Sequence, residues 1–170
     1  MKMIFVSGLK EIDRKTIVNL ALQRSGYKDK FKYVDFDDQG NLEEDMENTK
    51  DMLTARKIMS DFYDGVERRV IRDLKEQIGN IIVNGYLSIH NPTFGYFLAV
   101  QETFFQTFKP DVIVILETDS KDERINEQQG INRYYAATYS SLCGSNLKII
   151  RFSEDRMLDA VKELSDLIKH

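Results

Sequence analysis

The sequence predicts an α/β fold, a five-stranded parallel sheet flanked by helices on both faces. Five short apolar runs rich in β-branched or aromatic residues recur along it: Met3–Val6, Phe31–Val34, Ile81–Val83, Val112–Leu116 and Leu147–Phe152. Several are near-continuous, as strands buried on both faces are. Helix-period segments separate them, and strands alternating with helices imply right-handed crossovers onto a parallel sheet. The first strand runs into Ser7-Gly8 and then into a helix with Lys15-Thr16 in its first turn. That is the layout of a phosphate-binding loop.

In order, Met3–Val6 opens the sheet. The first helix, Thr16–Ser25, sets Ile17, Leu20 and Leu22 near one side and stops at Gly26. After Phe31–Val34, the acidic stretch Asp35 to Asp51 reads as a solvated, mobile surface segment. A long helix is expected from about Asn48 to Gln77, with Met52, Ile58, Met59, Phe62, Val66, Val70, Ile71 and Leu74 at spacings of three and four. Ile81–Val83 follows, then a helix from Phe94 to Phe108 ended by Lys109-Pro110. Val112–Leu116, a helix over Asp122–Leu142, and Leu147–Phe152 lead to a last helix, Glu154–Ile168, with Ser153 as its cap.

At 170 residues the chain is expected to form one domain, 1–170, with a core that needs no staples. No Gly/Ser/Pro-rich linker, internal repeat or low-complexity tract divides it. A hydrophobic share of 42% and a charged share of 31% describe a soluble globular protein, and the net charge of −4 weighs against nucleic acid as a main partner. Cys143 is the only cysteine, which excludes an internal disulfide and a multi-cysteine zinc site and reads as a small buried thiol. No apolar run approaches the ~20 residues that span a bilayer, so no membrane partner is expected. Met3–Val6 is too short for a signal peptide, and the expected location is cytoplasmic.

In a loop of the form GxxxxGK[ST], glycines let backbone N–H groups turn toward phosphates, Lys reaches the outer phosphates and Ser/Thr holds Mg²⁺. Counted from Gly8, the Gly-Lys-Ser/Thr positions hold Asp13, Arg14 and Lys15. Asp13 and Glu11 bring carboxylates among donors meant for an anion. Arg14 could still contact a phosphate, but its planar fork differs from Lys in shape. A loop one residue longer makes Lys15-Thr16 the Lys-Thr pair and moves Asp13 to the helix cap. In the other reading Asp13 also caps the helix, but Arg14 and Lys15 are solvated.

Further along, Lys109-Pro-Asp-Val-Ile-Val-Ile-Leu-Glu-Thr-Asp119, Asn132-Arg133-Tyr-Tyr-Ala-Ala-Thr-Tyr-Ser140 and Gly144-Ser-Asn-Leu-Lys-Ile-Ile150 resemble the archaeal type of adenylate kinase. The corresponding family text runs N-P-D-[IV]-[IV], N-R-A-A-A-M-T-Y and T-G-A-[TK]-V-K-I-I. With the opening strand–loop–helix and Arg56-Lys57-Ile58, similar to the family's R-K-L, the likeness covers most of the chain. It implies a three-layer P-loop NTPase fold of the nucleoside-monophosphate-kinase kind, with ATP and Mg²⁺ as cofactors and an adenine nucleotide as partner. Gly8, Lys15 and Thr16 would bind the ATP phosphates, and Arg14, Lys15 and Arg133 would face the transferred group. Arg56 would meet the acceptor phosphate. The family's D-x-H matches Asn84-Gly85-Tyr86, which makes Asn84 an uncharged substitute at the position that organises the metal. Ser88-Ile-His-Asn-Pro92 resembles T-I-K-T-P. The stretch 119–131 is short beside the family's Arg-rich lid.

Phosphoryl transfer depends on positioned cations and exclusion of water. The expectation is therefore an adenylate kinase-related P-loop protein with weak or no phosphotransfer, kept for nucleotide binding or an assembly role, with a homo-oligomer among its expected states. Two alternatives stay open: an active kinase using Lys15-Thr16, Arg56 and Arg133, and an RNA- or ribosome-associated P-loop protein. His90 reads as surface or packing. Asp35, Asp37 and Asp38 read as solvated loop acids, with a metal or ribose as the other option. Tyr86, Phe94, Tyr96, Phe97, Phe104, Phe105 and Phe108 read as core or subunit contact rather than a base pocket. Tyr134, Tyr135 and Tyr139 are expected to fill part of the donor cleft.

Overall fold

The computed structural model describes residues 2–36, 41–76 and 79–170. Its first half runs β1 (Met3–Ser7), α1 (Arg14–Ser25), β2 (Phe31–Asp35), α2 (Leu42–Asn48), α3 (Met52–Phe62), a π turn over Tyr63–Glu67 and α4 (Arg68–Lys75). The second half runs β3 (Asn80–Asn84), β4 (Ser88–Asn91), β5 (Gly95–Leu98), α5 (Glu102–Phe108), β6 (Val112–Thr118), α6 (Glu123–Cys143), β7 (Asn146–Phe152) and α7 (Met157–Lys169). The main sheet has the order β2-β3-β1-β6-β7, with every pairing parallel. All five predicted strands are in it.

Alternation along the strands divides the core into two layers. Ile4 and Val6 of β1, with Val112, Val114 and Leu116 of β6, face α1 and α7, where Ile17, Val18, Leu22, Val161, Leu164 and Ile168 are buried. Phe5, Ile113 and Ile115 face the other way, onto the layer of α2 to α6. Phe104 centres that second layer, with ring centroids 5.9 Å from Phe5, 5.2 Å from Phe36 and 5.5 Å from Phe105. Phe104, Phe105 and Phe108 are thus core, as their helical spacing suggests.

Local expectations fail in a few places. Phe94–Phe108 is not one helix. Its first part is β5, which pairs antiparallel with β4. Asn91 Oδ1 accepts the N–H groups of Thr93 and Phe94 at 2.8 and 2.9 Å, and Gly95 takes φ 91°, so turn chemistry closes a hairpin and only Glu102–Phe108 is left to coil. The long helix from Asn48 is also interrupted. Asp51 starts α3 as its cap, accepting from Leu53 and Thr54 N–H groups, and the π turn separates α3 from α4. Gln77 lies outside the described residues. The acidic stretch is not wholly solvated, since α2 buries Leu42 and Met46 under the hairpin. Ser153 stands at the expected cap but makes no capping side-chain bond, and Cys143 is half-buried, its thiol toward Phe105 O at 3.4 Å.

Asn91 is fully buried and joins this layer, because its Nδ2 also donates to Met46 O at 2.6 Å and Thr49 O at 2.9 Å, closing the end of α2. Asn91→Ala leaves buried backbone donors and acceptors without partners. It is expected to cost ~2–4 kcal/mol, read as a lower urea midpoint at unchanged m-value.

Candidate functional site

In an open parallel sheet, ligands bind outside the carboxyl ends of the strands. There β1 turns at Gly8 hard against β6. A Cβ on Gly8 would stand 3.0 Å from Leu116 O and 3.4 Å from Arg14 Cδ, so a larger residue would crowd the β6 backbone. The loop that follows folds inward on itself. Leu9 and Ile12 are buried, Ile12 N–H donates to Leu9 O at 3.0 Å, and Arg14 N–H donates to Ile12 O at 2.8 Å. Asp13 caps α1: one carboxylate oxygen accepts Thr16 N–H at 3.1 Å and the other accepts the Thr16 hydroxyl at 2.8 Å. The N–H groups of Ile12, Arg14 and Thr16 and the Thr16 hydroxyl are thus engaged by the protein's own groups.

Arg14 is not solvated as expected. It is 3% exposed, donates from Nη1 to Gly85 O at 2.6 Å, and lies 4.9 Å from the centre of the Tyr86 ring. The carbonyl and the ring face compensate a charge taken from water. Lys15 is exposed and Thr16 half-buried.

Parallel register sets Asn84 opposite Val6 on one side and Asp35 on the other. Asn84 is fully buried, with Nδ2 at 3.4 Å from both Asp35 Oδ1 and the Tyr33 hydroxyl. Its Oδ1 has no hydrogen-bond partner among the described residues. Tyr33 donates to Asp35 at 2.9 Å, and burial followed by the charge of Asp35 holds its hydroxyl above the usual tyrosine range. Asp35 is therefore a buried strand-end acid rather than a solvated loop acid. Asp37 and Asp38 lie outside the described residues. Among the described residues no group of three or more His, Cys, Asp or Glu could hold a metal ion. The Tyr33–Asp35–Asn84 cluster escapes sequence reasoning, although adjacency of β2 and β3 would have predicted it.

A cavity of about 790 Å³ opens beside the loop, and its walls carry Glu11, Asp13, Glu43, Glu44 and Glu47 against Lys10, Arg14 and Lys15. Lys10 pairs with Glu47, and Glu11 takes Arg124 of α6 at 2.7 Å. Against ATP with Mg²⁺, this donor set does not fit. Carboxylates outnumber cations, Thr16 and Asp13 satisfy one another, and Asn84 offers no charge.

The remaining predicted residues lie elsewhere. Arg133 grips Glu117, through Nε to Oε1 and through Nη2 to Oε2 at 2.5 Å, and Arg151 joins at 2.8 Å. Glu117 is fully buried; burial pushes its carboxyl up, but hydrogen bonds and charge from the two arginines outweigh this and hold it below the usual range. Arg56 is exposed on α3 and lines a separate cavity of about 440 Å³ with Met59, Ser60, Tyr63, Phe97, Leu98 and Gln101. Only residues 119–122 link β6 to α6. Asp122 caps the helix through Arg124 N–H at 2.9 Å, and Gln129 bonds both N–H and C=O of Thr118 at 2.9 and 3.0 Å. Tyr139 is buried and stacked on Phe105 at 4.2 Å, whereas Tyr134 is 73% exposed and fills no cleft. His90 is half-buried, with its ring 5.2 Å from Tyr96, a packing role.

No protein-family model matches the chain. It is similar to "Adenylate kinase" of Pyrococcus abyssi, 26% identical over 189 residues that cover 97% of this chain and 94% of that one. A second, from Methanopyrus kandleri, is 26% identical over 188 residues covering 98% and 97%. One from Thermoplasma volcanium is 32% identical over 115 residues, 55% of this chain and 63% of that one.

Because the folded Glu117 carboxyl is held low, its contribution to stability is present above the unfolded carboxylate range and is lost as pH falls through the folded value. Glu117→Gln is expected to lower stability at pH 7 by ~1–3 kcal/mol, discounted because both arginines are partly exposed. Denaturant melts should then depend less on pH in the acid range than those of the parent protein.

Proposed function

We propose that the chain, a divergent relative of the archaeal-type adenylate kinases by its similarity to them along nearly its whole length, retains the kinase architecture without efficient phosphoryl transfer. Its role in this reading is weak binding of an adenine nucleotide or assembly with a partner, a second copy of the chain included. The shortened 119–131 region replaces a lid, within a single domain spanning 1–170. The observation that carries the reading is the seat of Asp13. Its carboxylate holds the Thr16 N–H and hydroxyl at the start of α1, where a phosphate would need both. The acidic walls of the adjoining cavity, the pairing of Arg133 with Glu117, and the position of Arg56 on another cavity support the same reading.

An enzyme of this class without its Mg²⁺ and phosphate cradle loses the electrostatic stabilisation on which transfer depends. In a coupled assay with ATP, AMP and Mg²⁺, turnover is expected far below the ~1–100 s⁻¹ of ordinary kinases. Millimolar ATP is expected to raise the melting temperature only slightly, since stabilisation by mass action scales with the ratio of ligand to Kd and a weak binder gives little. Turnover in the ordinary range would establish instead an active adenylate kinase that works through Lys15, Thr16 and Arg133.

Asp13→Gly separates the cap from the anion question. Glycine is tolerated at a helix cap at a cost of a few tenths of a kcal/mol, roughly, and it opens the start of α1 to an external anion. The variant is expected to show a larger ATP-dependent rise in melting temperature than the parent protein. If neither protein responds, Asp13 is not what keeps the nucleotide out.

A further inference from the structure

The main sheet ends at β7, which has no strand on its outer side among the described residues. Successive residues of a strand turn their N–H and C=O groups to opposite edges, and Asn146 N–H donates inward to Asp111 O at 3.0 Å. Asn146, Lys148, Ile150 and Phe152 therefore bond toward β6, while Leu147, Ile149 and Arg151 present their backbone groups to the open side. A long bare edge is a template for another strand, and proteins ordinarily blunt it with charge, proline or a bulge. Here the register to β6 runs without a bulge, no proline interrupts the strand, and both of its charges are held within the chain. Lys148 pairs with Glu163 at 3.6 Å and Arg151 with Glu117 at 2.8 Å. Ile149, in the middle of β7, is 41% exposed.

The surroundings suit a second copy of the chain. An acidic protein repels its own copies, most strongly where its acids lie. The chain has 28 Asp and Glu in 170 residues, yet Gln128–Ser153, which holds most of α6 and all of β7, has none. Arg133 marks the side of α6 turned to β7, since it meets Arg151 at Glu117. Ala137 and Ser141 follow it at i+4 and i+8 and are exposed, with Tyr134 beside them. A surface of small and aromatic side chains without charge has the composition of an interface centre. The strand is also self-complementary. Antiparallel pairing about a twofold axis at Ile149 sets Ile149 opposite Ile149, Lys148 opposite Ile150, Leu147 opposite Arg151 and Asn146 opposite Phe152. No like charges then meet, and every outward N–H and C=O finds a partner. An axis at Lys148 or Arg151 would instead set two cations face to face.

We propose that two copies of the chain join through β7 about a twofold axis at Ile149, so that their sheets become one and their α6 helices lie antiparallel over the junction. The inference deepens the assembly role proposed above and rests on it, naming a second copy as the partner and the β7 edge as the surface. The contact is isologous: each copy offers the same strand, and the pair closes with no β7 edge left to recruit a third.

Sedimentation equilibrium of the full chain is expected to give a species of about twice 19.8 kDa that dissociates on dilution. Amide hydrogen exchange reads the interface itself. The outward amides of Ile149 and Arg151 are expected to lose protection about tenfold on dilution to the monomer, while those of Lys148 and Ile150, bonded to β6, keep theirs. Ile149→Pro removes one outward N–H and leaves the ladder to β6 intact, a position where an edge strand accepts proline, and is expected to be monomeric. Ile149→Lys, at an exposed side chain, is expected to be monomeric as well. Mixed with Ile149→Asp it is expected to pair again, because opposite charges then face each other across the axis. A wild-type monomer at every concentration overturns the dimer, as does an oligomer whose Ile149 amide is unprotected. A folded Ile149→Lys variant that still pairs, or Lys and Asp variants that stay apart when mixed, overturns the axis at Ile149. A wild-type monomer with the low turnover expected above removes the dimer alone. A dimer with the turnover of an ordinary kinase removes the reading of weak phosphotransfer alone.

Discussion

A guanidinium taken out of water must find compensation close by, and the burial of Arg14 imposes that requirement on everything at the loop end of the sheet. Gly85 O and the Tyr86 ring meet it from the end of β3. For those two residues to lie there, the chain beyond β3 must pass tightly over Phe5 and Phe36. A Cβ on Gly85 would stand 3.0 Å from the Phe5 ring and 3.1 Å from the Phe36 ring. The side chain at the position of the phosphate-binding lysine is thus part of the packing between α1 and β3. It draws the loop onto the sheet, where Leu9 and Ile12 are buried.

The same principle governs the rest of the carboxyl edge. Arg133 and Arg151 converge on the buried Glu117, Arg124 on Glu11, and Lys10 on Glu47. A nucleotide site depends on cations whose charge is available to phosphate and on N–H groups without another acceptor. Here intramolecular partners supply both kinds of compensation, so an incoming polyphosphate would have to displace carboxylates from cations and from the start of α1. Glu67 of the π turn stands in contrast, buried with one carboxyl oxygen that has no hydrogen-bond partner among the described residues.

Much of this molecule was legible before any coordinates. The five strands, the helices α1, α6 and α7, and the cap at Asp13 follow from apolar runs, period and turn chemistry that lie close together in sequence. The family likeness, carried by Asn132–Ser140 and Gly144–Ile150, agrees with relatives that align over nearly the whole chain. The hairpin over Ser88–Leu98 was misread because Phe94 to Val100 has no charged or amide residue, and a run of that kind has no period to separate strand from helix. The acidic stretch was misread because two buried residues, Leu42 and Met46, are a faint stripe among so many acids.

By itself the sequence determined the layered α/β architecture and the cap at Asp13, since both depend on neighbours along the chain: alternation in strands, glycine where the backbone must turn, a carboxylate beside a helix start. Tertiary structure alone decided the fate of the charges. Arg14 entering the core, Asn84 meeting Asp35 and Glu117 collecting two arginines are pairings between residues distant in sequence. Their energetics depend on burial and separation, which no local pattern encodes. The opening strand, loop and helix follow the layout of a phosphate loop, and the chain's own Asp13, three residues before Thr16, sits at the start of that helix.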